Sequence, residues 1–256
     1  MKPVLVAALL ALATPTFAAD PLRIGIEGEY PPFSAVNEQG ELYGFDVDIA
    51  RALCKEMQRD CELVQTAWDG LIPALNSQKI DAIIASMSAT EERRQSVDFT
   101  DKYYSNAGRF VLTEKAAQAI SADNWRETLK GKTLGVQRAT VHDRYATEAA
   151  SDVFADILRY NTQDEANLDL VAGRIDATLA DQTALASGFL GTDDGKGYAF
   201  AAPLINDRAF YGEGVSIAVR KGDDALRDAF NRAIRSIRDK GEYQSINAQY
   251  FDFDIY

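Results

Sequence analysis

The residues best able to do chemistry sit where apolar runs end. Glu27-Gly28-Glu29-Tyr30-Pro31-Pro32-Phe33 follows the strand-like run Leu22 to Ile26. A carboxylate there can hold a cation, and Tyr30 offers a flat face to an ammonium or guanidinium. The same residues also read as a proline-stiffened turn with solvated acids. Thr66-Ala67-Trp68-Asp69-Gly70 puts an indole at a strand-to-helix transition, as either a core anchor or a ligand wall.

Ala85-Ser86-Met87-Ser88-Ala89-Thr90-Glu91-Glu92-Arg93 is a hydroxyl-rich exit from an apolar strand. Thr90 suits a helix N-cap, and Arg93, close after Ser86 and Ser88, can grip a carboxylate through two N–H groups. Gly135-Val136-Gln137-Arg138-Ala139-Thr140-Val141-His142 is a strand running into a helix N-terminus, whose free N–H groups favour an anion. Asp181 follows the apolar run Ala177 to Ala180 and can hold an ammonium. Each cluster alone is a weak signal. Together they supply donors for a carboxylate, an acid for an ammonium, and an acid with aromatics for a cationic tail.

The elements that must position them alternate. Strands are expected at Leu22 to Ile26, Glu62 to Gln65, Ile80 to Ala85, Arg109 to Leu112, Thr133 to Val136, Ile157 to Tyr160, Ala177 to Ala180 and Val215 to Val219. Helices are expected at Phe45 to Met57, Trp68 to Ser77, Thr140 towards Ala149, Gln163 to Ala172, Ala225 to Arg238 and Tyr243 to Tyr250. This is an α/β pattern built on mostly parallel sheets. Ser77-Gln78-Lys79-Ile80-Asp81-Ala82 and Ala172-Gly173-Arg174-Ile175-Asp176-Ala177 repeat one phrase. It reads equally as two lobes of like architecture or as two similar helix-to-strand junctions. No low-complexity linker interrupts the chain, so two lobes would be joined by short crossings near Arg109 and Pro203.

The 256 residues are 46% hydrophobic, enough for a full core, and carry a net charge of -12. That charge argues against a nucleic-acid partner and suits a cationic ligand. Lys2, the apolar run Val4 to Ala13 and Thr16-Phe17-Ala18 read as a signal peptide over residues 1–18 cleaved near Ala18. The run is shorter than the roughly 20 apolar residues of a spanning helix, so no membrane insertion is expected. In an oxidising compartment Cys54 and Cys61, the only cysteines, read as one disulfide. With one histidine, neither a metal nor another cofactor is expected.

These residues resemble the bacterial periplasmic amino-acid-binding proteins of polar amino acid ABC importers, solute-binding protein family 3. Within it, the resemblance is to the lysine/arginine/ornithine- and arginine/ornithine-binding group. It rests on Tyr30-Pro31-Pro32-Phe33, Gly44-Phe45-Asp46-Val47-Asp48, Asp69-Gly70-Leu71-Ile72-Pro73-Ala74-Leu75, Asp81-Ala82-Ile83-Ile84, Glu92-Arg93, Val97-Asp98-Phe99-Thr100, Lys130-Gly131-Lys132, the cysteine spacing and Tyr250-Phe251-Asp252-Phe253. It covers nearly the whole mature chain.

The resemblance implies a two-lobed type II periplasmic binding protein fold, each lobe a mostly parallel sheet flanked by helices and joined by two hinge strands. Lobe 1 would comprise residues 19–108 and 209–256, and lobe 2 residues 109–208. Arg93 would clamp a ligand α-carboxylate with Ser88 and the Val141 amide, and Asp181 would hold the α-ammonium. Tyr30 and Trp68 would sandwich the side chain, and Glu27 would meet its distal cation. Ser86, Thr140, Asp46 and His142 fall at other pocket positions. The chain departs from the group's usual pattern at Ala85 for Ser, Ala139 for Gly, Trp68 for Phe, Glu27 for Asp, and at His142, where a small or amide residue is common. The expected function is capture of a cationic L-amino acid in the periplasm by a monomer that delivers it to a membrane ABC permease, with no catalysis. An arginine-derived opine, histidine, or a dehydratase-like enzyme on this scaffold are the alternatives.

Overall fold

The computed structural model describes residues 20–256, so the expected signal peptide at 1–18 and its cleavage site lie outside the described residues. The chain begins with β1 (Leu22–Ile26), a small hairpin of β2 (Ala35–Val36) and β3 (Leu42–Tyr43), and the helix Phe45–Glu56. Then come β4 (Cys61–Gln65), β5 (Ala82–Ile83) and β6 (Val97–Tyr104). The second lobe contributes β7 (Gly108–Thr113), β8 (Thr133–Gln137), β9 (Asp156–Tyr160), β10 (Ala177–Asp181) and β11 (Tyr198–Ile205). The chain returns through β12 (Val215–Arg220) and the helices Asp224–Asp239 and Glu242–Tyr250.

The first sheet has the order β4-β1-β5-β12-β6, with only β12 running against the rest. The second, read from its far edge, is β9-β8-β10-β7-β11, with only β7 reversed. The two lobes therefore share one topology. The repeated sequence phrase marks equivalent places in it, since Ala82 opens β5 and Ala177 opens β10. Gln78 (φ 62) and Gly173 (φ 69) make the same left-handed turn. Asp81 and Asp176 each accept the amide of the neighbouring strand, from Arg23 and Thr133. Gly25 and Gly135 each leave room for an isoleucine, Ile80 and Ile175, that a Cβ would strike.

Burial explains the strands. All five residues of β10 are buried, as a strand covered on both faces requires. On the first sheet Ile24, Ile26 and Ile217 pack against Ile49, Leu53, Phe230 and Ile234 from the flanking helices, while Leu71, Leu75 and Ile80 cover the other face. The helix Asp224–Asp239 buries Phe230, Ala233, Ile234 and Ile237, one stripe at helical spacing, and Asp223 caps it by accepting from Leu226 N–H.

Two local expectations change, and two strands appear that were not among those expected. Trp68 to Ser77 divides into a tight turn over Trp68–Gly70 and the helix Leu71–Asn76, with Pro73 in that helix's first turn, where its missing N–H costs nothing. The strand expected through Ala85 keeps only Ala82–Ile83, because the chain turns left-handed at Ser86 (φ 53). Val97–Tyr104 and Tyr198–Ile205 mix polar and apolar residues without clean alternation, yet both are strands.

The chain crosses between lobes over residues 105–107 and again after the helix Arg208–Tyr211, whose Phe210 and Tyr211 pack in the second lobe. Pro203 lies within β11, and Gly212 and Gly214 (φ 66 and 124) carry the return. At the first crossing, a side chain on Gly108 would strike the Tyr211 hydroxyl. No helix among the described residues is long and apolar enough to cross a membrane.

Cys54 and Cys61 form a disulfide tying the end of the helix Phe45–Glu56 to β4, remote from the strand ends that face the other lobe. Replacing both by Ser is expected to lower the unfolding free energy by about 2 kcal/mol, the chain-entropy value for so short a loop. Ligand affinity should stay unchanged; denaturant titration and calorimetry check the two halves.

Candidate functional site

The carboxyl ends of β1, β4, β8 and β10 face one another across the gap between the lobes, where ligands of open α/β sheets bind. They enclose a narrow cleft between the lobes, a concave place of the kind that small ligands occupy. Ten of the eleven expected site residues line it: Glu27, Tyr30, Trp68, Ser86, Ser88 and Arg93 from the first lobe, and Thr140, Val141, His142 and Asp181 from the second.

Arg93 belongs to the short helix Glu91–Arg94, capped by Thr90, whose hydroxyl accepts from Arg93 N–H at 3.3 Å. Its guanidinium lies 5.2 Å from the Trp68 ring centroid. It donates to the Ser88 carbonyl at 3.0 Å and, across the cleft, to the Ala139 carbonyl at 3.2 Å. Ala139 is itself left-handed (φ 58), a conformation that glycine adopts more easily than alanine. Among the described residues no carboxylate pairs with Arg93. Burial lowers its pKa to about 10 against the opposing charge of Glu92, with a smaller contribution from Arg144, so it stays cationic at neutral pH.

Asp181 ends β10 at 3% exposure. Its Oδ1 accepts from Thr183 N–H at 2.8 Å and Ala184 N–H at 3.1 Å, and its Oδ2 has no partner. Burial pushes its pKa up to about 6. Glu27, also 3% exposed, directly follows β1 and is pushed up to about 8 by burial despite the hydrogen bond it accepts from Gln137. Tyr30 stacks on Phe33 with centroids 5.9 Å apart, which holds its ring against the cleft.

The Thr140 hydroxyl caps the helix Val141–Ala149, accepting from Asp143 N–H at 3.2 Å and donating to the Gln137 carbonyl at 2.7 Å. The Val141 amide is therefore one of the free N–H groups at that helix end. His142 is kept neutral, lowered to about 3 by burial and by Arg93; it packs edge-on against Tyr211, and its Nε2 has no partner.

Asp46 is the expected position that does not reach the cleft. It lies in the first turn of the helix Phe45–Glu56, fully buried, where it accepts from Ser86 Oγ and Tyr103 OH, each at 2.8 Å. The Ser86 amide also donates to Tyr103 OH, at 3.2 Å. Asp46 thus acts from behind, holding Ser86 in its left-handed turn. Tyr104, Asn106, Gln137 and Ala85 complete the lining. Gln137 was findable as a polar residue closing an apolar strand, the signal that marked Asp181. Asn106, which donates to Ser88 Oγ at 2.9 Å, sits in a three-residue crossing with no sequence pattern.

The lobes touch around this cleft. Besides the Arg93 bond to Ala139 and the Gln137 bond to Glu27, Arg144 pairs with Glu92 at 3.4 Å. The site can hold one carboxylate at Arg93 and cations at Asp181 and Glu27.

Known proteins carry the same architecture. The model of the bacterial extracellular solute-binding proteins, family 3, matches residues 22–253. The L-arginine-binding protein of Pseudomonas aeruginosa is 53% identical over 250 residues, covering 97% of this chain and 95% of that protein. The histidine-binding periplasmic protein of Escherichia coli is 41% identical over 246 residues, covering 95% and 93%. A solved Salmonella typhimurium periplasmic binding protein, described as having high arginine specificity, superposes with a TM-score of 0.82 at 32% identity, covering 91% of this chain and all of that one. These relatives are binding proteins, and the solved one shares the two-lobed type II fold seen here. With the family model spanning both lobes and the cleft between them, the chain belongs to the bacterial extracellular solute-binding proteins, family 3.

Proposed function

We propose that this protein captures a cationic L-amino acid of the arginine, ornithine and lysine class between its lobes and delivers it to a membrane ABC permease. One observation carries this reading: a single small cleft holds a guanidinium without a carboxylate partner, Arg93, and a buried carboxylate oxygen without a donor, on Asp181. An α-amino acid brings the missing partner of each. Arg93 clamps the carboxylate with Ser88 and the Val141 amide, and Asp181 takes the ammonium. Glu27 at the far wall meets a distal cation, with Tyr30 and Trp68 against the aliphatic stem. The arginine-binding relatives support the arginine end of the class. Export by residues 1–18, cleavage near Ala18 and a monomer docking transiently on the permease complete the reading.

Calorimetry on ligand-stripped protein against arginine, ornithine, lysine, histidine and an arginine-derived opine tests it. Binding of a cationic amino acid is expected, and a protein that takes none of them sinks the reading. Arg93→Ala is expected to weaken arginine binding at least about a hundredfold, roughly 3 kcal/mol, because a desolvated carboxylate loses its charged donors. Near-normal affinity would remove Arg93 from its role.

Binding should also depend on pH. Among the protein's own groups Glu27 is raised to about 8 and Asp181 to about 6, so above their ordinary range the folded protein holds protons that the unfolded chain has released. Stability of the empty protein therefore falls as pH rises through that window. A bound cation favours the ionised carboxylates and reverses the trend. The arginine-induced rise in Tm should grow from pH 5 to pH 8, with protons released on binding at pH 7; a flat profile would contradict the role given to Glu27.

A further inference from the structure

Gln137 lines the cleft, yet neither clamp of the main-chain groups uses it. It closes β8 at 3% exposure. Its backbone is fixed by pairing in register with Tyr160 and by the Thr140 hydroxyl on its carbonyl. Its side chain spans the lobes: Nε2 donates to Glu27 Oε1 at 2.5 Å and to the Asn161 carbonyl at 3.1 Å. A backbone carbonyl can only accept, so this bond settles which end of the amide is nitrogen. Oε1 consequently points away from Asn161. No group among the described residues donates to it, and it is absent from the fully buried atoms that lack a partner, so it keeps open space beside it.

We propose that Gln137 is a specificity-determining residue that orients Glu27 through Nε2 and presents Oε1 as a second, uncharged acceptor, selecting the guanidinium of arginine over the ammonium of lysine or ornithine. This rests on the cationic amino acid reading of the cleft. A guanidinium spreads five N–H donors around a plane and accepts nothing, so it needs acceptors set apart from one another. An ammonium concentrates its charge on one atom and is served by one carboxylate and water. Every guanidinium N–H left unpaired in the cleft is a desolvated donor, which weakens binding. The second acceptor is neutral for a reason visible around it. Glu27 is already held in its protonated form by burial, and Glu29, Asp46 and Asp164 add to that; another carboxylate would deepen the repulsion. An amide supplies the oxygen without the charge. Tyr30 and Trp68 in the same cleft favour a flat cation.

Calorimetry on the ligand-stripped full chain with arginine, lysine and ornithine tests this in the wild type and in Gln137→Met, which keeps length and removes both polar atoms. The wild type is expected to prefer arginine about tenfold or more. The variant is expected to lose about tenfold in arginine affinity while lysine and ornithine change by less than about threefold, so the preference collapses. A variant that weakens all three ligands in step reveals a merely structural residue and overturns the inference. A wild type that binds lysine as tightly as arginine overturns it alone and leaves the proposed function standing; that comparison needs no variant and decides the matter if Gln137→Met fails to fold. A wild type that binds none of the three overturns both.

Discussion

Charge withdrawn from water must be met by opposite charge, and this protein leaves that condition unfulfilled at chosen points of one cleft. Arg93 has carbonyls and an indole face around its guanidinium but, among the described residues, no paired carboxylate. Asp181 has spent one oxygen on two backbone amides and keeps the other bare. Without a ligand these groups lower stability, which is why burial raises Asp181 and Glu27 and depresses Arg93. A zwitterion relieves both at once. Affinity and specificity are then two sides of one electrostatic debt.

The fold serves this arrangement by using one topology twice. Equivalent strands in the two sheets end at the same gap, so residues more than a hundred positions apart, such as Glu27 and Gln137, come within hydrogen-bond reach. The two crossings are short, and Asn106 of the first takes part in the wall itself. Asn106 holds Ser88, and Ser88 forms an isolated bridge with Val215. Wall and hinge are therefore coupled through shared hydrogen bonds.

Support from behind the wall matters as much as contact. Asp46, Tyr103 and Ser86 form a closed set of hydrogen bonds that keeps Ser86 left-handed, where a serine would not otherwise rest. The Thr140 hydroxyl is consumed in capping its helix and in fixing the Gln137 carbonyl. Both sets of bonds hold the shape of the wall, while Ser86 and Thr140 themselves line the cleft.

The sequence by itself determined the alternation of elements, the disulfide partners and most of the cleft wall. Each of those signals is local: an apolar run ending in a polar residue, a cap before a helix, or two cysteines alone. The strand-end acids Glu27 and Asp181 and the capped Arg93 were legible for that reason. Only the tertiary structure decided that Asp46 stands behind Ser86, that Gln137 reaches Glu27, and that Asn106 faces the cleft. It also made the twin phrases at Gln78 and Gly173 a true repeat, which the residues had left open. These outcomes depend on which strands become neighbours and how the lobes meet. Such contacts join residues far apart in the chain, and no local pattern of residue types encodes them.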